Sequence, residues 1–135
     1  MLPKDVELWH IYLVKNCHHV KPQPKDKFIV AVGYNGSEQF WGFLINSRIG
    51  PFLQSKPELL NCEASIVANQ HRRILRTDSF IDCTSLYSFY AWDFSSHKGE
   101  ISQDAMITLM KAVRACVTLK TKLKRMILKN GGEDL

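Results

Sequence analysis

The chain has 135 residues, 45% of them hydrophobic and 23% charged, with a formal net charge of +5. That length and composition suit one globular domain able to bury its own core, and exclude a disordered or fibrous chain. The positive balance favours an anionic partner, nucleic acid or an acidic protein, over a basic one.

No apolar run reaches the ~20 residues that a membrane span needs. Residues 1–7 mix both charge signs and show no apolar stretch before a cleavage site, so no secretory signal is expected. The expected location is cytoplasmic. The four cysteines, Cys17, Cys62, Cys83 and Cys116, form no Cys-x-x-Cys pair. A reducing compartment argues for free thiols, and Cys83 and Cys116 read as small core residues.

Residues 6–14 alternate apolar and aromatic positions with Glu7 and His10, which predicts a strand. Residues 15–27 carry prolines, histidines and lysines without periodicity and read as a solvated loop. Cys17, His18 and His19 lie there, but four ligands at finger-like spacing are lacking, and no metal is expected. Residues 28–32 are a continuous apolar run, the pattern of a buried strand. Asn35-Gly36 follows and favours the positive φ angles of a tight hairpin turn. Residues 40–45 form the returning strand.

Residues 46–61 read as a loop, with one helical turn over 57–60 begun by Pro57. Residues 63–68 and 79–82 are further short strands. Residues 86–94 read as aromatic and turn-like, and His97-Lys98-Gly99 as a turn. From Ser102 the period changes to that of a helix. Ser102 is suited to cap it and Asp104 to its dipole. Met106, Leu109, Met110, Val113, Cys116 and Val117 form one apolar face, which Leu123 and Ile127 extend. A break is possible at Val117-Thr118, and Gly131-Gly132 ends the helix. The expected class is α+β: a small β-barrel followed by an amphipathic helix or helix pair over residues 103–129, with 130–135 as a flexible tail.

Four groups could carry chemistry. The band His71, Arg72, Arg73, Arg76, Asp78, Ser79 and Asp82 mixes acid–base groups with cations, the set that attack of a 2′-hydroxyl on phosphate needs. It equally suits a solvated loop leading into a strand. Asn46, Ser47 and Arg48 stand at a strand end, where a hydroxyl and a guanidinium can hold a phosphate, and where plain turn chemistry also places such residues. Lys15, Lys25 and Lys27 make the 15–27 loop basic. Lys111, Arg114, Lys120, Lys122, Lys124, Arg125 and Lys129 follow with no acid among them, and such a stripe fits phosphates or an acidic protein.

Taken in order, the segments resemble the MazF/PemK-like toxin family. The likeness rests on the strand Trp9-His10-Ile11-Tyr12-Leu13-Val14, a charged loop, and the strand Phe28-Ile29-Val30-Ala31-Val32. It continues with the return ending Leu44-Ile45-Asn46-Ser47, then Asp78-Ser79-Phe80-Ile81-Asp82, Gly99 to Ser102, and a helix. The resemblance implies an SH3-like barrel with a C-terminal helix. It also implies a homodimer that cuts single-stranded RNA without cofactor or metal, and an acidic antitoxin as partner. The family typically places an arginine at the start of its second strand, where this chain has Lys27. Ser47 stands where the family has Thr or Ser.

The site implied is Lys27, Ser47, Arg48, His71 and Asp78 for catalysis, with Lys15, Lys25, Asn46, Arg72, Arg73 and Arg76 for RNA. The alternative is a non-catalytic nucleic-acid- or protein-binding module of the same fold, from a phage or mobile element. A third reading has the amphipathic helix dock on a partner, which exposed Met106 and Met110 would support.

Overall fold

The computed structural model describes residues 1–135. Six strands form one antiparallel sheet: β1 (His10–Cys17), β2 (Lys25–Gly36), β3 (Gln39–Asn46), β4 (Glu63–Ile66), β5 (Ser79–Tyr90) and β6 (Phe94–Glu100). Their order across the sheet is β4-β5-β3-β2-β1-β6. Two single-turn helices, α1 (Pro51–Gln54) and α2 (Pro57–Leu60), fill the connection after β3, each with proline in its first turn. Helices α3 (Gln103–Ala115) and α4 (Thr121–Asn130) end the chain. None is long and apolar enough to cross a membrane.

Alternation along the strands builds two apolar clusters, one on each face of the sheet. Ile11, Val30, Phe43, Ile45 and Ile81 point inward, where Leu109, Val113 and Ile127 of the helices cover them. Tyr12, Ile29, Ala31, Leu44, Phe89 and Phe94 form a second, smaller cluster on the other face. Both faces of the central strands are therefore buried, which explains why residues 28–32 read as a continuous apolar run.

The expected hairpin is present, but its turn lies two residues later than Asn35-Gly36. Gly36 pairs with Gln39. Ser37 and Glu38, between them, take φ of 50° and 66°. Gly36 itself has φ 76° and sits at an irregularity of the ladder. Its freedom is spent on a bulge rather than on the turn.

Two further readings are corrected. Residues 86–90 are not turn-like but the end of β5, paired with β3 from Gly42 to Gln39, and only Ala91–Asp93 turn, as one 3-10 turn before β6. His97-Lys98-Gly99 is not a turn but the body of β6, paired with β1. Histidine, lysine and glycine have weak strand propensity, and the ladder with β1 overrides it.

The helical region follows the sequence closely. The Ser102 hydroxyl accepts a hydrogen bond from the Ala105 amide at 3.0 Å, so it caps α3. The break falls between Ala115 and Thr121, and α4 stops at Asn130 before the two glycines. Met110 is buried and Met106 packs against the core, so the helix face is used internally. In the terminal segment, the Arg114 guanidinium meets the Glu133 carboxylate, and the Glu133 amide bonds back to the Leu128 carbonyl at 3.1 Å.

The thiol reading is corrected as well. Cys62 and Cys116 are joined by a disulfide, which ties the start of β4 to the end of α3. Cys17 and Cys83 are free and buried. Proximity in the fold, invisible in the spacing of 54 residues, selects the bridged pair.

A candidate nucleic-acid cleft

The segment 67–78 spans from one edge of the sheet to the other, from the end of β4 to Gly99 of β6 and Ser102 just beyond it. That segment leaves the edge strand β4. His71 lies in it, buried, between Val67 and the start of α3. Its Nε2 accepts a hydrogen bond from the Ser102 amide at 2.9 Å. Because an N–H points at Nε2, the proton must sit on Nδ1, which donates to the Val67 carbonyl at 2.8 Å. Gln70 reinforces the clasp, accepting from the Ser102 hydroxyl and donating to Asp104 at 2.7 Å. Beside it, Ile74 packs closely enough on Gly99 of β6 that a Cβ there would sit 3.3 Å from its Cδ1.

Asp78 serves the same segment from its other end. Its Oδ1 accepts from the Ala68 amide at 2.8 Å, closing a ten-residue loop. The Ser79 hydroxyl donates to the Thr77 carbonyl at 3.0 Å. Asn69 accepts from Nε and Nη2 of Arg72, at 3.3 and 2.8 Å, and fixes that guanidinium.

The clasp forms one wall of an open cleft of about 1000 Å³. The other walls are the start of β2, the end of β3 and the outer side of β6. Lys27, Arg72, Arg73, Arg76 and Lys98 line it, with Asp26 the single carboxylate on its wall. Ser47 contributes a hydroxyl, and Phe28, Ile45, Ile74 and Leu75 an apolar floor. Five cations against one anion make the cleft an electrostatic trap for a polyanion. The apolar floor suits the ring of a nucleobase more than a bare inorganic ion.

Lys27 is the most sheltered of these cations. Burial disfavours its ammonium and pushes its pKa down, and the neighbouring Lys25 charge pushes the same way. The Cys17 thiol and Asp82 carboxylate act in the opposite direction and do not reverse the shift. Its Nζ donates to Asn46 Oδ1, across the β2–β3 ladder. This contact fixes the head of Lys27 at the cleft mouth.

The expected residues thus divide into three groups. Lys27, Ser47, Arg72, Arg73 and Arg76 come together on the cleft wall; Asn46 bonds Lys27, and exposed Lys25, two residues before it, lies off the wall. Arg48 and Lys15 are exposed but lie off the wall. His71 and Asp78 lie beside the cleft: both ring nitrogens of buried His71 are in backbone hydrogen bonds, whereas exposed Asp78 commits only its Oδ1. The geometry therefore gives these two the work of shaping the wall.

Two features had no sequence signal. Lys98 joins the cleft only because residues 94–100 are a strand, and the turn reading hid it. Glu63 is the other. It stands opposite Asp82 in the β4–β5 ladder. Both its carboxyl oxygens are buried and meet no hydrogen-bond partner of good geometry. Burial, then the Asp82 carboxyl, raises its pKa from an ordinary 4.5 to about 9. It is a neutral acid at pH 7. Asp82 itself accepts from the Thr84 amide at 2.9 Å and from the Thr84 hydroxyl at 2.5 Å.

No family model and no curated protein sequence matches this chain. Among solved structures it is similar to Mycobacterium tuberculosis toxin MazF-mt6, with a TM-score of 0.59 at 12% sequence identity. The likeness covers 82% of this chain and 98% of that one. The fold is therefore α+β and MazF-like, as the order of segments implied.

Proposed function

We propose that this protein is a metal-independent endoribonuclease of the toxin type, acting on single-stranded RNA held in the basic cleft. The observation that carries this reading is the convergence of Lys27, Ser47 and the arginines of the 67–78 segment on one wall of a MazF-like fold. Single-stranded RNA offers such a cleft phosphates for its cations and base faces for its apolar floor.

Cleavage forms a bond from the 2′ oxygen to phosphorus and breaks the bond to the 5′ oxygen, leaving a 2′,3′-cyclic phosphate. A proton leaves the 2′-hydroxyl and another reaches the departing 5′ oxygen. Lys27, whose ammonium burial has weakened, is the acid for the 5′ oxygen. Asp26, the carboxylate of the wall, accepts the 2′ proton on Oδ2, while its Oδ1 is held by the Asn16 amide at 2.9 Å. Arg73 and Arg76 offset the charge that grows on the phosphate, and guanidinium forks suit its oxygens. Ser47 orients the scissile group. Arg72, braced by Asn69, holds a neighbouring phosphate.

A homodimer and an acidic antitoxin belong to the same reading, with a cytoplasmic site of action. The cations of α4, Lys120 to Lys129, offer an acidic partner a one-signed surface.

The second reading, a binding module without catalysis, is favoured by one observation. His71, an expected proton carrier, has both ring nitrogens committed to backbone bonds, and Asp78, the other, has one carboxylate oxygen so held. One experiment separates the two. Mixed RNA is incubated with the protein in excess chelator, and products and gel mobility are followed. Toxin chemistry predicts cyclic-phosphate ends, with the rate falling 100-fold or more in Lys27→Ala. Intact RNA that migrates slowly selects the binding module. Cleavage by Lys27→Ala at the parental rate removes the role given to Lys27.

A further inference from the structure

Away from the basic cleft, the opposite side of the β1–β6 edge carries a cluster that RNA binding does not use. Three metal-ligating side chains, Glu7, His10 and His97, bring one ligand atom each to within 4.8 Å of the others. His10 Nδ1 faces His97 Nε2 at 2.8 Å. The same Nδ1 lies 3.5 Å from Glu7 Oε2. On its other side, His10 Nε2 lies 3.5 Å from Glu100 Oε2.

The ladder produces this arrangement. His10 is directly opposite Glu100, and regular pairing would then set Lys98 against Tyr12. A register shift after Ile11 sets His97 there instead. Its ring thereby comes to lie over His10, with centroids 5.0 Å apart. Trp9, at φ 68°, turns the preceding chain back so that Glu7 reaches the same point. Tyr12 steadies that chain, since its hydroxyl oxygen accepts from the Glu7 amide at 2.7 Å.

We infer that Glu7, His10 and His97 form a binding site for a divalent transition ion of the zinc class. An ion with bonds of about 2.0–2.1 Å in a tetrahedron holds its ligand atoms about 3.3 Å apart. The separations of 2.8 and 3.5 Å bracket that value, so the ion fits with small side-chain shifts. Two imidazoles and one carboxylate select zinc, cobalt, nickel or copper over magnesium or calcium, which demand oxygen ligands. The fourth position faces solvent and takes water.

Glu100 completes the design as an orienting group. Its carboxylate, 3.5 Å from His10 Nε2, favours the proton on that nitrogen and so leaves the Nδ1 lone pair for the ion. Without an ion, the two facing imidazole nitrogens share one proton as a hydrogen bond. The bound ion would pin the chain before β1 to the edge strand β6. This inference is independent of the nuclease reading, because none of the three ligands lines the cleft.

The test uses metal-stripped full-length protein titrated with cobalt(II), whose visible absorption reports tetrahedral nitrogen and oxygen ligands, and with zinc in thermal unfolding. One equivalent of cobalt should bind with the visible band, and zinc should raise the melting temperature. His97→Ala should weaken binding at least 100-fold and abolish the zinc-dependent rise. Glu100→Gln should weaken it about 10-fold, the usual size of an orienting partner's effect. His18→Ala, altering the other histidine pair, should bind as the parent does. Circular dichroism confirms that the His97 variant is folded, as expected for an exposed side chain. Parental affinity in His97→Ala, loss in His18→Ala, or no one-to-one binding by the parent at micromolar cobalt would each overturn the assignment.

Discussion

Glu63 sets the pH dependence of stability in a way that one substitution isolates. In the folded chain its carboxyl holds its proton up to about pH 9, against an ordinary value of 4.5. Below pH 4.5 both folded and unfolded chains carry the proton, and the group is neutral for stability. Between the two values the unfolded chain has lost a proton that the folded chain keeps. Each pH unit in that window then subtracts about 1.4 kcal/mol from stability, until the loss levels off above pH 9. At pH 7 the cost is about 3 kcal/mol. Glu63→Gln keeps the shape, removes the ionisation, and supplies an amide donor toward the Asp82 carboxyl. Its unfolding free energy, from urea melts, should match the parent near pH 4.5 and exceed it progressively as the pH rises, by about 3 kcal/mol at pH 7. Parallel curves for parent and variant from pH 4.5 to 8 would refute the burial argument. A variant less stable at every pH would show instead that the Glu63 oxygens make a bond the structure does not contain.

His71→Ala removes two backbone hydrogen bonds that fasten the sheet edges, and should cost about 2 kcal/mol in urea unfolding while RNA cleavage by the folded fraction persists. Unchanged stability with lost cleavage would return His71 to the reaction. Thiol titration in denaturant without reductant should find two reactive cysteines, rising to four after reduction. Closing a 54-residue loop is worth about 4 kcal/mol, so a reductant should lower the unfolding midpoint markedly. Four thiols before reduction would mean the pair is open.

What the sequence determined by itself are the features written in local chemistry. The apolar run 28–32, the Ser102 cap, the proline-led turn at Pro57 and the glycine stop after Asn130 each follow from preferences within a few residues. The hairpin belongs here too, although its turn moved by two positions, since register and not the Asn-Gly pair decided where the strands close. The order of these segments was enough to imply the fold.

Tertiary structure decided everything that depends on which distant residues meet. The aromatic residues 86–90 suit a strand, and pairing with β3 takes them into β5; residues 95–100 have poor strand character, and the ladder with β1 makes them a strand. That pairing delivers Lys98 to the cleft and His97 to His10. His71 and Asp78 have the side-chain types of proton carriers, and the fold also gives them backbone groups to hold: the Val67 carbonyl and Ser102 amide for His71, and the Ala68 amide for one Asp78 oxygen. Burial made Glu63 a neutral acid, and proximity chose Cys62 for Cys116. A side chain's type limits what it can do. Its desolvation and its neighbours select among those uses, and both arise only when the sheet closes.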